Sequence, residues 1–146
     1  MSRGKGTNQR GRSKGEARHI RHYDYELVSP AYRALPCVAR ALYTEIKRLH
    51  NGTNNGQLFL SERMAAQMLG VTQNTARKGF SQLQEKGFIR ANCKGAFSWK
   101  KRHATTWIIT EYPVGDTPPT RDYQKWKPES ENQNTDANFK SNSIKK

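Results

Sequence analysis

Apolar residues recur along this chain in three helical rhythms and two strand-like ones. Val38, Leu42, Ile46 and Leu49 stand four, four and three apart, one stripe of an amphipathic helix. Ser29-Pro30 opens this region, since serine can cap a helix and proline suits its first turn. Pro36 then restarts or kinks the segment, because it has no N–H to give the preceding turn. The stripe ends near His50, where Asn51-Gly52 supplies a stop and residues 53–56 read as a turn. Residues 57–60 form a short strand. Ser61 caps a second helix over 62–69, with Ala65, Met68 and Leu69 expected to face inward. Gly70 closes it with a positive φ, and Val71 plugs the corner. Thr72 caps a third helix over 73–86, with Ala76, Phe80 and Leu83 inward, and Gly87 ends it.

After Gly87 the rhythm changes to two. Residues 88–93 and 105–110 carry β-branched and aromatic residues on either side of a glycine- and lysine-containing turn, which predicts an antiparallel hairpin. Phe97 and Trp99 share one strand face and are expected to pack on Trp107. The expected organisation is a disordered basic arm over 1–22, a folded domain over 23–112, and an extended, then disordered tail over 113–146. In that tail Tyr123 and Trp126 are the only large apolar groups before Phe139. The expected fold class is mainly α with a small antiparallel β-hairpin, an α+β domain of three core helices plus a wing.

Helix, glycine corner and helix can be tested as a helix-turn-helix. With Glu62 as the first residue of the unit, Ala66 falls fifth, Gly70 ninth and Ala76 fifteenth. These are the positions that must be small, left-handed and apolar. Gly79 departs from the pattern, because a larger aliphatic residue is expected there; Phe80 next door is the candidate to take over its packing. The run LQEKGFIR (83–90) looks like a recognition-helix exit and first wing strand. LP-x-VARALY at 35–43 and TEYP at 110–113 complete the likeness. On these residues the chain resembles small single-domain winged helix-turn-helix DNA-binding proteins of bacterial chromosomes, plasmids and mobile elements. The resemblance spans residues 29–112, excludes both flanks, and implies DNA binding rather than a named pathway.

Charge narrows the partner further. The net charge is +14 and the pI about 10.1, with 34% hydrophobic residues and a mean hydropathy of −1.00. Residues 63–110 hold nine bases and one acid, Glu85, so over half of the excess sits where the chain looks best folded. A merely solubilising surface would not concentrate charge in this way, and a polyanion is the expected partner. No run approaches the roughly 18 apolar residues of a membrane span, and the polar start carries no signal core, so a soluble bacterial cytoplasmic, nucleoid-associated protein is expected without a membrane partner. Cys37 and Cys93 lack metal-ligand spacing and are expected as reduced, half-buried thiols. No metal or other cofactor is expected.

The resemblance places the N-terminal side chains of the third helix in the major groove. The outward residues would be Thr72, Gln73, Asn74, Thr75, Arg77 and Lys78. Gln73 and Asn74 have the amide fork that reads adenine, and Arg77 can read guanine or clamp a phosphate. The wing offers Lys94, Lys100, Lys101, Arg102 and His103 to the flanking backbone or minor groove. In the arm, Arg10 and Arg12 flank a glycine as in an Arg-Gly-Arg minor-groove reader, with Lys14 close behind, although a solvated tail is the favoured reading.

Enzymatic activity is not expected. Glu45, Glu62, Glu85 and Glu111 are each expected on a helix surface or strand end, and no nucleophile or phosphate-loop motif accompanies them. No small-molecule ligand is expected, because no segment is apolar enough to build a sensor pocket. The leading function is transcriptional regulation on double-stranded DNA. The alternatives are replication initiation or excision on a plasmid or mobile element, and a single-strand or RNA-binding module. One such domain reads few base pairs, which points to a homodimer through the first helix or the Tyr23, Tyr25, Leu27 and Tyr32 segment.

Overall fold

Three helix starts are built by the side chains that the local sequence offers for them. In the computed structural model, which describes residues 18–93, 97–98, 101–102 and 105–128, the helices are α1 (Asp24–Leu27), α2 (Pro30–Arg33), α3 (Cys37–Leu49), α4 (Glu62–Leu69) and α5 (Gln73–Glu85). The strands are β1 (Leu58–Phe59), β2 (Ile89–Cys93), β3 (Phe97–Ser98), β4 (Lys101–Arg102) and β5 (Thr106–Ile109). Ser29 accepts the N–H of Tyr32, Ser61 that of Met64 and Thr72 that of Thr75, so each head satisfies one otherwise orphaned donor. Pro36 restarts the chain as α3. Gly70 ends α4 at φ 65°, ψ 33°, the left-handed conformation expected of it.

The architecture is α+β. Strands β1, β5 and β2 lie side by side in that order, all antiparallel, with Leu58 opposite Trp107 and Ile89 opposite Ile109. A register shift between Ala91 and Cys93 marks a bulge in β2, after which Cys93 pairs opposite Thr106 of β5. Between these strands in sequence, β3 and β4 pair as a separate ribbon, Ser98 opposite Lys101. Along β5, Trp107 and Ile109 point into the core while Thr106 and Ile108 face partly outward. Among the described residues no helix is long and apolar enough to cross a membrane.

Helix α5 packs on both α3 and α4. Gly79 explains its own departure from the helix-turn-helix register: a Cβ there would lie 3.1 Å from Leu42 Cδ2 and 3.8 Å from Ala39 Cα. The missing side chain lets α5 ride close over α3, and Phe80 fills the space beside it by stacking on Trp107 at 4.7 Å. The Trp107 indole N–H in turn donates to the Leu60 carbonyl at 2.9 Å. Phe97 and Trp99, expected to pack on Trp107, have side chains outside the described residues.

Three further expectations need correction. Met68 is 41% exposed, not inward, because the buried face of α4 runs through Ala65, Ala66 and Leu69, and Met68 lies about 100° around the helix from its centre. Cys37 is exposed rather than half-buried, at the first residue of α3, where the chain has just turned at Pro36. The Cys93 side chain lies outside the described residues.

The third correction concerns the flanks. Residues 113–128, expected as an extended tail, fold back on the body. A 3-10 helix, Asp122–Lys125, inserts Tyr123, which is fully buried and stacks on Phe88 at 4.8 Å. Gly87 makes room for it: at φ 78°, its Cβ would meet the backbone of Asp122 and Tyr123 at 2.7 and 2.8 Å. On the other flank, the carbonyl of Arg21 accepts from Lys47 Nζ and His22 is half-buried, so part of the expected arm belongs to the body. Asn55 is buried as well. Its amide donates to the carbonyls of Ile109, Tyr112 and Pro113, and its oxygen accepts from the N–H of Ile109, which ties the loop after α3 to the end of β5.

Candidate nucleic-acid interface

The corner formed by α4, Gly70 and α5 gathers exposed polar and basic side chains at one end of the body. Thr72, Gln73, Asn74, Arg77 and Lys78 are exposed and Thr75 half-buried. They occupy the first two turns of α5, whose uncapped N–H groups and positive dipole end suit an anion. The two threonines are committed locally: Thr72 Oγ1 accepts from the Thr75 N–H at 3.2 Å, and their hydroxyls pair at 2.8 Å. Gln73, Asn74 and Lys78 make no side-chain hydrogen bond or ion pair among the described residues. On α4, Arg63 is exposed on the second residue of the helix.

Arg77 has a partner that sequence reading missed. Its Nε donates to both carboxylate oxygens of Glu62, at 3.2 and 3.0 Å, across fifteen residues of sequence. The available signal was weak: Glu62 and Arg77 are the first and sixteenth positions of the same helix-corner-helix unit, and only the fold makes those positions neighbours.

The other bases of this region divide by environment. Lys86 is buried, with Nζ 5.1 Å from the Trp126 ring and 3.4 Å from Glu85, so it packs rather than projects. Arg90 is exposed on β2 and lies 3.9 Å from Asp122 of the returning flank. Lys101 and Arg102 fall on β4. Lys94, Lys100 and His103, expected in a wing, and Arg10, Arg12 and Lys14, expected in an arm, lie outside the described residues.

A second constellation of titratable groups gathers around Tyr43 and Lys47 of α3. Glu26 is fully buried and accepts from the Tyr43 hydroxyl and from Lys47 Nζ, whose own side chain is fully buried. Glu111, two residues past the end of β5, is buried and accepts from the hydroxyls of Tyr25 and Tyr123, with Arg121 Nε at 3.3 Å. Burial, reinforced by Glu26, pushes the Tyr43 hydroxyl well above its ordinary value. Burial also pulls the Lys47 ammonium below its ordinary value, against the pull of Glu26. Carboxylate, tyrosine and lysine together can resemble acid–base machinery. Here all but Tyr25 are buried, and they spend their hydrogen bonds on one another and on the Arg21 carbonyl. Their joint effect is structural, since Tyr25 of α1 and Tyr123 of the C-terminal flank meet on the same carboxylate.

Two further observations bear on what the surface could hold. Among the described residues no group of three or more His, Cys, Asp or Glu side chains is placed to hold a metal ion. An open hollow of about 170 Å³ lies between the outer sheet face and the 113–120 loop, lined by Arg90, Ile108 and Tyr112 among others. That is smaller than the roughly 300 Å³ at which small-molecule sites begin. No family model, curated protein or solved structure matches the chain.

Proposed function

We propose that this chain is a sequence-specific double-stranded DNA-binding protein of winged helix-turn-helix type, acting in the bacterial cytoplasm as a transcriptional regulator. Helix α5 is its recognition helix, with Gln73, Asn74, Arg77 and Lys78 directed at the major groove and α4 crossing the backbone. The ribbon between β2 and β5 is its wing, and the bases at 94–103 meet the flanking backbone or minor groove. The reading needs neither cofactor nor catalytic residue.

One observation carries it: the left-handed Gly70 corner that leaves the head of α5 exposed and polar, with Gln73, Asn74 and Lys78 free of side-chain partners among the described residues. Exposed glutamine, asparagine and arginine in those turns are the residue types that pair with base edges. The concentration of nine bases against one acid in residues 63–110 supports the same reading, since phosphate contacts supply most of the affinity for a duplex. A homodimer belongs to it, because a single recognition helix spans few base pairs. Tyr25, Leu27 and Val28, exposed side by side around the end of α1, are the apolar surface such a pairing would use.

The test is selection from a random duplex library by the purified full chain. A single short palindromic motif is the expected result. Iterated direct repeats would favour replication initiation or excision over regulation. Enrichment of no duplex, alongside tight binding of single strands, would overturn the reading.

A further inference from the structure

We propose that Glu62 is a positioning residue that aims Arg77 at a guanine, an inference that rests on the DNA-binding reading above. The first observation is geometric. Glu62 receives the Nε–H of Arg77 on both carboxylate oxygens and so fixes the guanidinium by its inner nitrogen. The two outer nitrogens, Nη1 and Nη2, are then left over, and the Arg77 guanidinium has no other hydrogen-bond partner among the described residues. Two coplanar donors at a fixed spacing match the O6 and N7 acceptors that guanine presents in the major groove. A phosphate can take both nitrogens as well, but it is also satisfied by a lysine acting as a point charge, so it depends less on a fixed orientation.

The second observation is the cost of placing an acid here. A carboxylate beside the exposed head of α5 repels every phosphate that approaches, in a region whose charge is otherwise almost entirely positive. The pair adds little to folding, because Arg77 and Glu62 are 59% and 35% exposed and an ion pair so accessible is screened by water and salt. The N-terminal turn of α4 favours an acid at Glu62 in its own right, but that role needs no contact with Arg77. Orientation accounts for the contact. An arginine on a long stem otherwise loses much of its rotamer freedom when it binds, and a latch imposed before binding removes that loss selectively at one base. The two residues stand fifteen apart and meet only through the Gly70 corner, so this device belongs to the folded α4–α5 unit and not to either helix.

The experiment compares wild type, Glu62→Ala, Glu62→Gln and Arg77→Ala as full chains, by fluorescence anisotropy. The probes are the selected duplex, the same duplex with each guanine in turn replaced by 7-deazaguanine, and a scrambled duplex. Thermal melts are recorded in parallel. For wild type, one 7-deazaguanine position should weaken binding roughly tenfold, and Arg77→Ala should be indifferent to it. Glu62→Ala should bind the scrambled duplex more tightly, through loss of a repelling charge, while its discrimination at that guanine falls towards that of Arg77→Ala. Glu62→Gln keeps an acceptor for Nε and should fall between the two.

Glu62→Ala tightening on all three probes by one common factor would overturn the proposal, leaving Glu62 a charge and nothing more. Wild type that prefers the selected duplex yet ignores every 7-deazaguanine would overturn it too. Should Glu62→Ala melt early, Glu62→Gln decides alone: discrimination equal to wild type, with tighter scrambled binding, refutes the role. These failures differ from failure of the underlying reading, in which wild type would not separate the selected duplex from the scrambled one at all.

Discussion

Two carboxylate–cation pairs in this protein look alike on paper and behave differently because of where they sit. Glu26 and Lys47 meet behind α3 with both side chains sealed from water. Glu62 and Arg77 meet at the head of the α4–α5 corner, where both remain open to water. A buried pair does not add much stability over well-packed apolar residues, but removing one partner strands the other as an uncompensated charge. An exposed pair can be broken for almost nothing, since solvent takes over each partner. The first pair is therefore a structural clasp whose loss unfolds. The second is free to serve recognition, because the fold does not depend on it.

The largest predicted effect breaks the clasp. Glu26→Ala leaves Lys47 and the Tyr43 hydroxyl buried without their acceptor, and should cost about 3–5 kcal/mol in urea unfolding. A double change, Glu26→Leu with Lys47→Met, should recover most of that loss. If the single variant unfolds at the wild-type midpoint, the sealed pair has no structural weight. Next is Gly87→Ala. Its added Cβ collides with the backbone of the returning flank at a left-handed position, so a loss of about 1–3 kcal/mol and release of Tyr123 are expected. Limited proteolysis should then cut after residue 113 in the variant and spare the wild type.

On the exposed side, Arg77→Ala should lower the preference for the selected duplex by about 1–3 kcal/mol. Its folding stability should stay within about 0.5 kcal/mol of wild type. Equal preference for selected and scrambled duplex in both proteins would remove Arg77 from the interface. Any large drop in melting temperature would instead move this pair into the same class as Glu26–Lys47.

A smaller effect comes from His22, half-buried beside Lys47 with its Nε2 3.3 Å from Thr44 Oγ1. Burial, aided by the Lys47 charge, lowers its proton affinity below the ordinary value against the pull of Glu26. The unfolded chain therefore takes up the proton first as the pH falls. Stability contributed by neutral His22 is intact above about pH 6.5 and lost as the pH drops through and below that value. His22→Asn should flatten the slope of unfolding free energy between pH 7.5 and 5; an unaltered slope would assign it to other groups.

The last prediction concerns the arm. Deleting residues 1–17 removes five bases while leaving the packed Arg21 carbonyl and His22 in place. The salt dependence of duplex binding should flatten by about 0.9 for each phosphate that the arm no longer neutralises. An identical slope would show that the arm does not meet the backbone. Deletion to residue 22 would confound this measurement, because it strips the acceptor from Lys47.

Local chemistry in the sequence determined the helix heads, the Gly70 stop and the period-two strands. Ser29, Ser61 and Thr72 need only their own next few residues to cap, and Gly70 is left-handed for reasons of backbone sterics alone. With the periodicity of Leu42, Ile46, Ala76, Phe80 and Leu83, this sufficed for the α5 surface and most of the core. Meetings between distant segments carry no such local mark. Nothing near Glu26 announces a lysine twenty-one residues on, nothing near Gly87 announces Tyr123, and nothing in α4 announces that its first residue will hold Arg77. Gly79 looked like a flaw until Leu42 and Ala39 were seen against it. Local rules act through the backbone's own neighbours, whereas burial, ion pairing and close approach depend on which surfaces the whole chain brings together. The tertiary structure alone decided those.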